Sequence, residues 1–198
     1  MAQNQKLKLM ALITKLSDRD TYASASAELE SLARGLDASP GTLASFLACV
    51  LSAGPTDKSQ ARRQCLHLIS TLSLLYPAAL APHLPKLLGF LTRRLRDPDS
   101  SILRPQCAST AASLSKNLSR VSFFGAFAKP LSEALFTEQE LGSQIGVAAC
   151  LSAAVEAAAD PEPGKLGRGL VPKLERVLKS EGYKGKSGAL GVLGSVIW

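Results

Sequence analysis

The chain has 198 residues, of which 46% are hydrophobic, only 5% aromatic and 20% charged, and its formal net charge is +7. That length and apolar content can bury a continuous core, and so few aromatic side chains suit closely stacked helices better than a sheet-rich fold. The positive balance points to an acidic partner (nucleic acid, an anionic membrane surface or an acidic protein lattice), while no uncharged run is long enough for a transmembrane helix, so the chain reads as soluble.

Lys6 to Leu16 combines basic residues with a short apolar run. Lys15 interrupts that run, and Leu9, Leu12, Ile13 and Leu16 form the stripe of a helix rather than a targeting leader. This helix, near Asn4–Leu16, pairs with a second near Asp20–Arg34, which Gly35 stops. Ser39 then offers an N-cap with Pro40 at the first helical position; the helix runs to about Ala53, turns through Gly54-Pro55-Thr56-Asp57 and returns from Lys58 to Leu75. A third pair spans about Pro77 to Asn117. Its first helix carries Leu84, Leu87, Leu88, Leu91 and Leu95 on one face and is kinked by Pro82 and Pro85. Arg93, Arg94 and Arg96 suit its C-terminus, Pro98 denies Asp97 the helical region, and Asp99 or Ser100 caps the next helix, where Cys107, Ala111 and Leu114 share a face.

A fourth pair starts after Arg120 with Phe123, Phe124 and Phe127, read as core packing between neighbours rather than a ligand platform. It turns near Thr137-Glu138 and returns from about Glu140 to Ala158. Asp160-Pro161-Glu162-Pro163-Gly164 is a connector by composition. The fifth pair has Leu166 to Lys179, the turn Ser180-Glu181-Gly182 and a last segment from Tyr183 to Trp198. Gly188, Gly191 and Gly194 weaken that segment by about 1 kcal/mol each against Ala. With no polar cap it reads as an array cut short, and as a surface for weak self-association.

The pairs repeat in sequence as well as in pattern. Arg62-Arg63-Gln64-Cys65 matches Arg104-Pro105-Gln106-Cys107 at an offset of 42, Leu72-Ser73 matches Leu114-Ser115 at the same offset, and Cys150 follows 43 residues after Cys107. Leu16-Ser17-Asp18-Arg19-Asp20 recurs in Leu95 to Asp99, about two periods on, and Pro40, Pro85, Pro130 and Pro172 are spaced by 45, 45 and 42. A two-helix repeat of that length is the mark of HEAT and armadillo solenoids. The expected fold is all-α, a single right-handed α-solenoid of about five HEAT-type antiparallel helix pairs over residues 1–198.

No catalytic constellation is legible. His67 and His83 lack any metal-ligand or nucleophile context, Gly185-Lys186-Ser187 lacks the upstream glycine of a phosphate loop, and Cys49, Cys65, Cys107 and Cys150 occur singly, as small buried residues do. The reading is a binding protein, not an enzyme, with no cofactor, no metal and no small-molecule substrate; reduced cysteines suit the cytoplasm. The binding candidates are the turns inside each pair, which carry Arg19, Lys58, Arg62, Arg63, Arg96, Lys184 and Lys186. Turns stacked about 10 Å apart would line them up as a basic ridge. Arg104 is read instead as structural, pairing with Asp97 or Asp99 to lock adjacent turns.

The segments L-S-D-R-D-T at 16–21, L-A-P-H-L at 80–84, R-R-L-R-D-P-D-S-S at 93–101, A-D-P-E-P at 159–163 and L-K-S-E-G at 178–182 resemble the plant TORTIFOLIA/SPIRAL family of microtubule-associated proteins. The resemblance implies an N-terminal HEAT array related to TOG domains, with tubulin and microtubules as partner, on the cytoplasmic microtubule cytoskeleton. It departs from tubulin-binding TOG domains in one respect. Their first intra-repeat turn presents an aromatic, typically tryptophan, where this chain has Ser17-Asp18-Arg19-Asp20-Thr21. That favours electrostatic binding to the assembled lattice or its ends over capture of free dimers. The alternative is a generic HEAT adaptor holding a peptide on its concave face. Nucleic acid is disfavoured, because single-strand binding wants aromatics on the basic surface and only Tyr183 lies near it; no membrane partner is expected.

Overall fold

The computed structural model describes residues 3–37, 39–52, 58–97, 100–118 and 121–197, and every regular element among them is helical. The chain divides into two compact units, Met1–Leu87 and Leu88–Trp198.

The first unit holds α1 (Gln3–Lys15), α2 (Tyr22–Arg34), α3 (Pro40–Val50), α4 (Ser59–Leu75) and the short α5 (Pro77–Leu80). α1 packs on α2 within its pair and on α3 in the next, while α2 packs on α4. First helices therefore meet first helices and second meet second, which is how stacked helical hairpins bury one stripe each. The predicted α1 stripe of Leu9, Leu12, Ile13 and Leu16 is buried with Leu29, Leu43, Phe46 and Leu68. Each such side chain contributes about 1.5–3 kcal/mol relative to exposure. Polar ties reinforce the stack at the repeat offset: Tyr22 donates to Gln64 Oε1 at 3.4 Å and Tyr76 to the Arg34 carbonyl at 2.9 Å, both across 42 residues.

Two local expectations are corrected here. α2 begins at Tyr22 rather than Asp20, because Asp18 Oδ1 takes the Asp20 amide at 3.0 Å and Thr21 donates its hydroxyl to the Lys15 carbonyl at 2.8 Å. Those bonds close the turn on itself. Ser39 is placed as predicted before α3, but its hydroxyl donates to Thr42 Oγ1 at 2.9 Å and caps no backbone amide. The expected turn Gly54–Asp57 lies outside the described residues, as do Pro98, Asp99, Arg120 and Trp198.

α6 (Leu84–Arg94) carries the chain from the first unit into the second, which continues with α7 (Ser100–Asn117), a π-helical turn Phe124–Ala128, α8 (Lys129–Thr137), α9 (Leu141–Ala157), α10 (Pro163–Gly169), α11 (Val171–Lys179) and α12 (Lys186–Ile197). The periodic prolines explain why first helices come in pieces. A 3₁₀ turn, Ala81–His83, holds Pro82 and leads into the helix of Pro85; the π turn precedes Pro130; the α10/α11 break at Leu170 precedes Pro172. Each proline removes an amide donor and crowds the carbonyl one turn back, so the helix reorganises there instead of running through.

The second helices are continuous and closely packed: α9 lies against α7 on one side and α12 on the other. Small residues allow it. A Cβ at Gly146 would stand 2.7 Å from Leu95 Cδ2, and one at Gly188 would stand 2.8 Å from the Ala148 Cβ. Ser115 donates to the Ala154 carbonyl at 2.7 Å and Ser143 to the Leu95 carbonyl at 2.9 Å, so both of these buried hydroxyls are satisfied. Cys65 in α4, Cys107 in α7 and Cys150 in α9 are all fully buried thiols, as their repeat spacing predicts. Burial pushes the Cys107 thiol up to about 12, which makes it inert at neutral pH. Phe123 and Phe127 stack at 5.7 Å in the core rather than facing solvent.

Candidate functional site

In the first unit Arg19 is exposed in the turn between α1 and α2. Lys58 is exposed immediately before α4, and Arg63 is exposed in its first turns. Arg62 is a correction. Its side chain is only 3% exposed, because at its place in α4 the helix turns it toward the packed side, and it cannot serve a surface.

In the second unit the turn cations divide the same way. Arg96 follows α6 and donates Nε and Nη2 to Glu138 Oε1 at 2.8 and 2.5 Å, again across 42 residues. The Arg96 side chain is 57% exposed and that of Glu138 only 6%. The bond to Glu138 holds the Arg96 guanidinium above its usual pKa. Arg96 is thus committed to joining consecutive turns. Asp97 also departs from expectation, since its partner is Arg94, Nη1 to Oδ2 at 3.3 Å, with the Arg94 guanidinium lying 5.1 Å from the Phe90 ring centroid. Arg104 makes its contact elsewhere. Its guanidinium and stem lie against α9, where Cβ atoms at Gly142 and Gly146 would come within 2.7 Å of Nη2 and 3.2 Å of Cγ. It fills the space those glycines leave, and it binds α7 to α9 by packing rather than by pairing with Asp97. Lys184 is exposed and Lys186 half-buried at the turn before α12. Between them and α8, Tyr183 donates its hydroxyl to the Leu135 carbonyl at 3.4 Å, and burial raises its phenol pKa.

Two carboxylates that sequence reasoning passed over turn out to organise these edges. Glu138 reads as a turn residue, yet its charge complement sits one repeat upstream at Arg96, and that offset is the signal that could have found it. Glu162, in the D-P-E-P connector, adopts a left-handed φ of 53° and accepts the Ser122 hydroxyl at 2.8 Å, the Phe124 amide at 2.6 Å and the Lys165 ammonium. Among the described residues no group of His, Cys, Asp and Glu is placed to hold a metal ion, and no helix is long and apolar enough to cross a membrane. An open cavity of 330 Å³ lies by Lys8, Leu32 and Phe46, and another of 660 Å³ by Glu156, Leu166 and Ile197, where the Ser195 hydroxyl donates to Glu156 Oε1 at 2.8 Å.

What remains is an array of helix pairs whose turns present Arg19, Lys58, Arg63 and Lys184 to solvent. Residues 3–198 match the family model described as TORTIFOLIA1 N-terminal. The chain belongs to the TORTIFOLIA1 family. TORTIFOLIA1-like protein 3 of Arabidopsis thaliana is 46% identical over 198 residues, covering 98% of this chain and 32% of its own length. TORTIFOLIA1-like protein 4 of the same plant is 44% identical over 97% of this chain and 30% of its own. The Arabidopsis microtubule-associated protein TORTIFOLIA1 is 34% identical over 96% of this chain and 23% of its own. The chain therefore spans about a third or less of these relatives, and what it shares with them is the TORTIFOLIA1 N-terminal region.

Proposed function

We propose that this chain binds microtubules, chiefly by electrostatics, through the cations of its intra-repeat turns: Arg19, Lys58 and Arg63 in the first unit, Lys184 and Lys186 in the second. The reading rests on the solvent exposure of Arg19, Lys58, Arg63 and Lys184, with Lys186 half-buried beside them, on a net charge of +7, and on membership of a family in which one relative is named a microtubule-associated protein. It works by binding rather than catalysis, in the cytoplasm on the microtubule cytoskeleton, and influences lattice and end dynamics. Tubulin presents a strongly acidic surface, the complement of such turns. Arg62 and Arg96 are left out of the set, the one being buried and the other bonded to Glu138.

The test is co-sedimentation of the Arg19→Glu/Lys58→Glu/Arg63→Glu variant with stabilised microtubules. Three exposed contacts at a few tenths of a kcal/mol to 1 kcal/mol each correspond to an affinity loss of about tenfold, with the helical CD signal unchanged. Binding should also fall steeply with salt, because exposed charges are screened beyond a Debye length of about 8 Å at physiological ionic strength. Undiminished binding by a folded triple variant removes the first unit's turns from the interface and leaves the concave-face adaptor as the better reading.

A further inference from the structure

The chain's positive charge is concentrated in its last repeat. Between Pro163 and Lys186 there are seven basic side chains against two acidic ones, Glu175 and Glu181, so this short stretch accounts for five of the seven net charges. α11 displays them in order. Leu174 is fully buried, with Leu170 buried just ahead of the helix, while Lys173, Arg176 and Lys179 are all exposed. Steps of three residues keep those cations within a sector of roughly 120° on the side opposite Leu174, bordered by the exposed Glu175 one turn before Lys179, so the face carries three cations to one carboxylate. Arg168 is exposed on α10 ahead of this stripe, and Lys184 is exposed in the turn beyond it. The corresponding stretch of the preceding repeat, α8, has Lys129 and Glu133 exposed, so its outward face has no such bias.

We infer that the outward face of α11, with Lys173, Arg176 and Lys179 at its centre, is a docking surface for an extended glutamate-rich peptide segment of a partner protein. The inference rests on the proposed microtubule binding for its biological setting and adds to it a second surface, on a first helix rather than in a turn. Charge complementarity favours this occupant. Cations three residues apart on a helix stand about 4.5 Å apart along its axis, closer than the roughly 6.6 Å between side chains on one side of an extended strand. The long, exposed lysine and arginine side chains can splay to take up that difference and meet the carboxylates of a flexible acidic strand lying along α11. A membrane fits less well, because the apolar side of α11 is already used in the core and leaves nothing to insert. Nucleic acid fits less well too, since α11 carries no aromatic side chain and the hydroxyl of nearby Tyr183 is engaged by the Leu135 carbonyl.

Fluorescence anisotropy with a labelled oligoglutamate peptide tests this directly, using the whole chain at low and physiological salt. The Lys173→Glu/Arg176→Glu/Lys179→Glu variant should bind about tenfold more weakly or worse, the Lys173→Gln/Arg176→Gln/Lys179→Gln variant should lose an intermediate amount, and Arg19→Glu/Lys58→Glu/Arg63→Glu should stay within about twofold of wild type. Labelled single-stranded DNA of equal charge and anionic vesicles should bind more weakly than the peptide. Unchanged peptide binding by a folded α11 variant overturns the inference, as does equal loss in the first-unit variant or tighter binding of DNA or vesicles. The two proposals fail separately. Wild type that sediments with microtubules while the α11 variants hold the peptide normally loses only this surface. Wild type that binds the peptide through α11 but ignores microtubules loses only the proposed partner.

Discussion

Glu162 shows how a single carboxylate can fasten one repeat to the next. A non-glycine residue in the left-handed region costs about 1 kcal/mol or more and persists where the surroundings over-determine it. Here the Ser122 hydroxyl, the Phe124 amide and Lys165 all converge on one side chain. The Lys165 bond first, then the Phe124 amide and the Ser122 hydroxyl, hold the carboxyl down from 4.5 to about 2. A group whose folded pKa is lowered adds stability that is fully present above its ordinary value and is lost as pH falls through the folded one. The window is therefore from about 4.5 down to about 2, and nothing at this latch should change near neutrality. The Phe124 amide proton shift, followed by NMR, should titrate with its midpoint close to the lower figure and stop titrating in Glu162→Gln; a midpoint near 4.5 would mean the latch is not closed in solution. The D-P-E-P string announces a turn and no more, because nothing local reveals which amide some forty residues upstream needs an acceptor.

The order of helices and turns was legible at the scale of whole elements. Leucine stripes, proline timing and single cysteines one repeat apart each report the same packing, since every hairpin must bury one face on its neighbours. Helix propensity treats the glycines of α12 as equivalent weak points, but their surroundings differ. A Cβ at Gly188 would meet the rigid Ala148 Cβ at 2.8 Å, whereas nothing lies within 4 Å of one at Gly191. Gly188→Ala should therefore push α12 off α9 and lower stability by about 1–3 kcal/mol, while Gly191→Ala should raise it by about 0.5–1 kcal/mol. Thermal denaturation of the two single variants decides it, and equal and same-signed shifts would show that α12 does not approach α9 this closely.

For the molecule as a whole, the sequence revealed the charge but not its direction. Arg62 and Arg63 are adjacent letters, yet one is buried in α4 and the other exposed. Arg96 is a surface cation as its place beside a turn suggests, but nothing local reveals that a carboxylate one repeat away takes its Nε and Nη2. The basic face of α11 is hard to see in the sequence for the complementary reason, that Lys173, Arg176 and Lys179 stand apart in the chain and only the helix, with Leu174 buried, gathers them on one side. The central claim is that exposed cations on this helical array hold an acidic microtubule surface. Its most direct measurement is co-sedimentation of the wild-type chain, at matched salt, with intact microtubules and with microtubules whose acidic tubulin tails have been removed by limited proteolysis. Binding to the trimmed lattice should be markedly weaker and its salt dependence shallower. Equal affinity for both lattices, unmoved by salt, would contradict it.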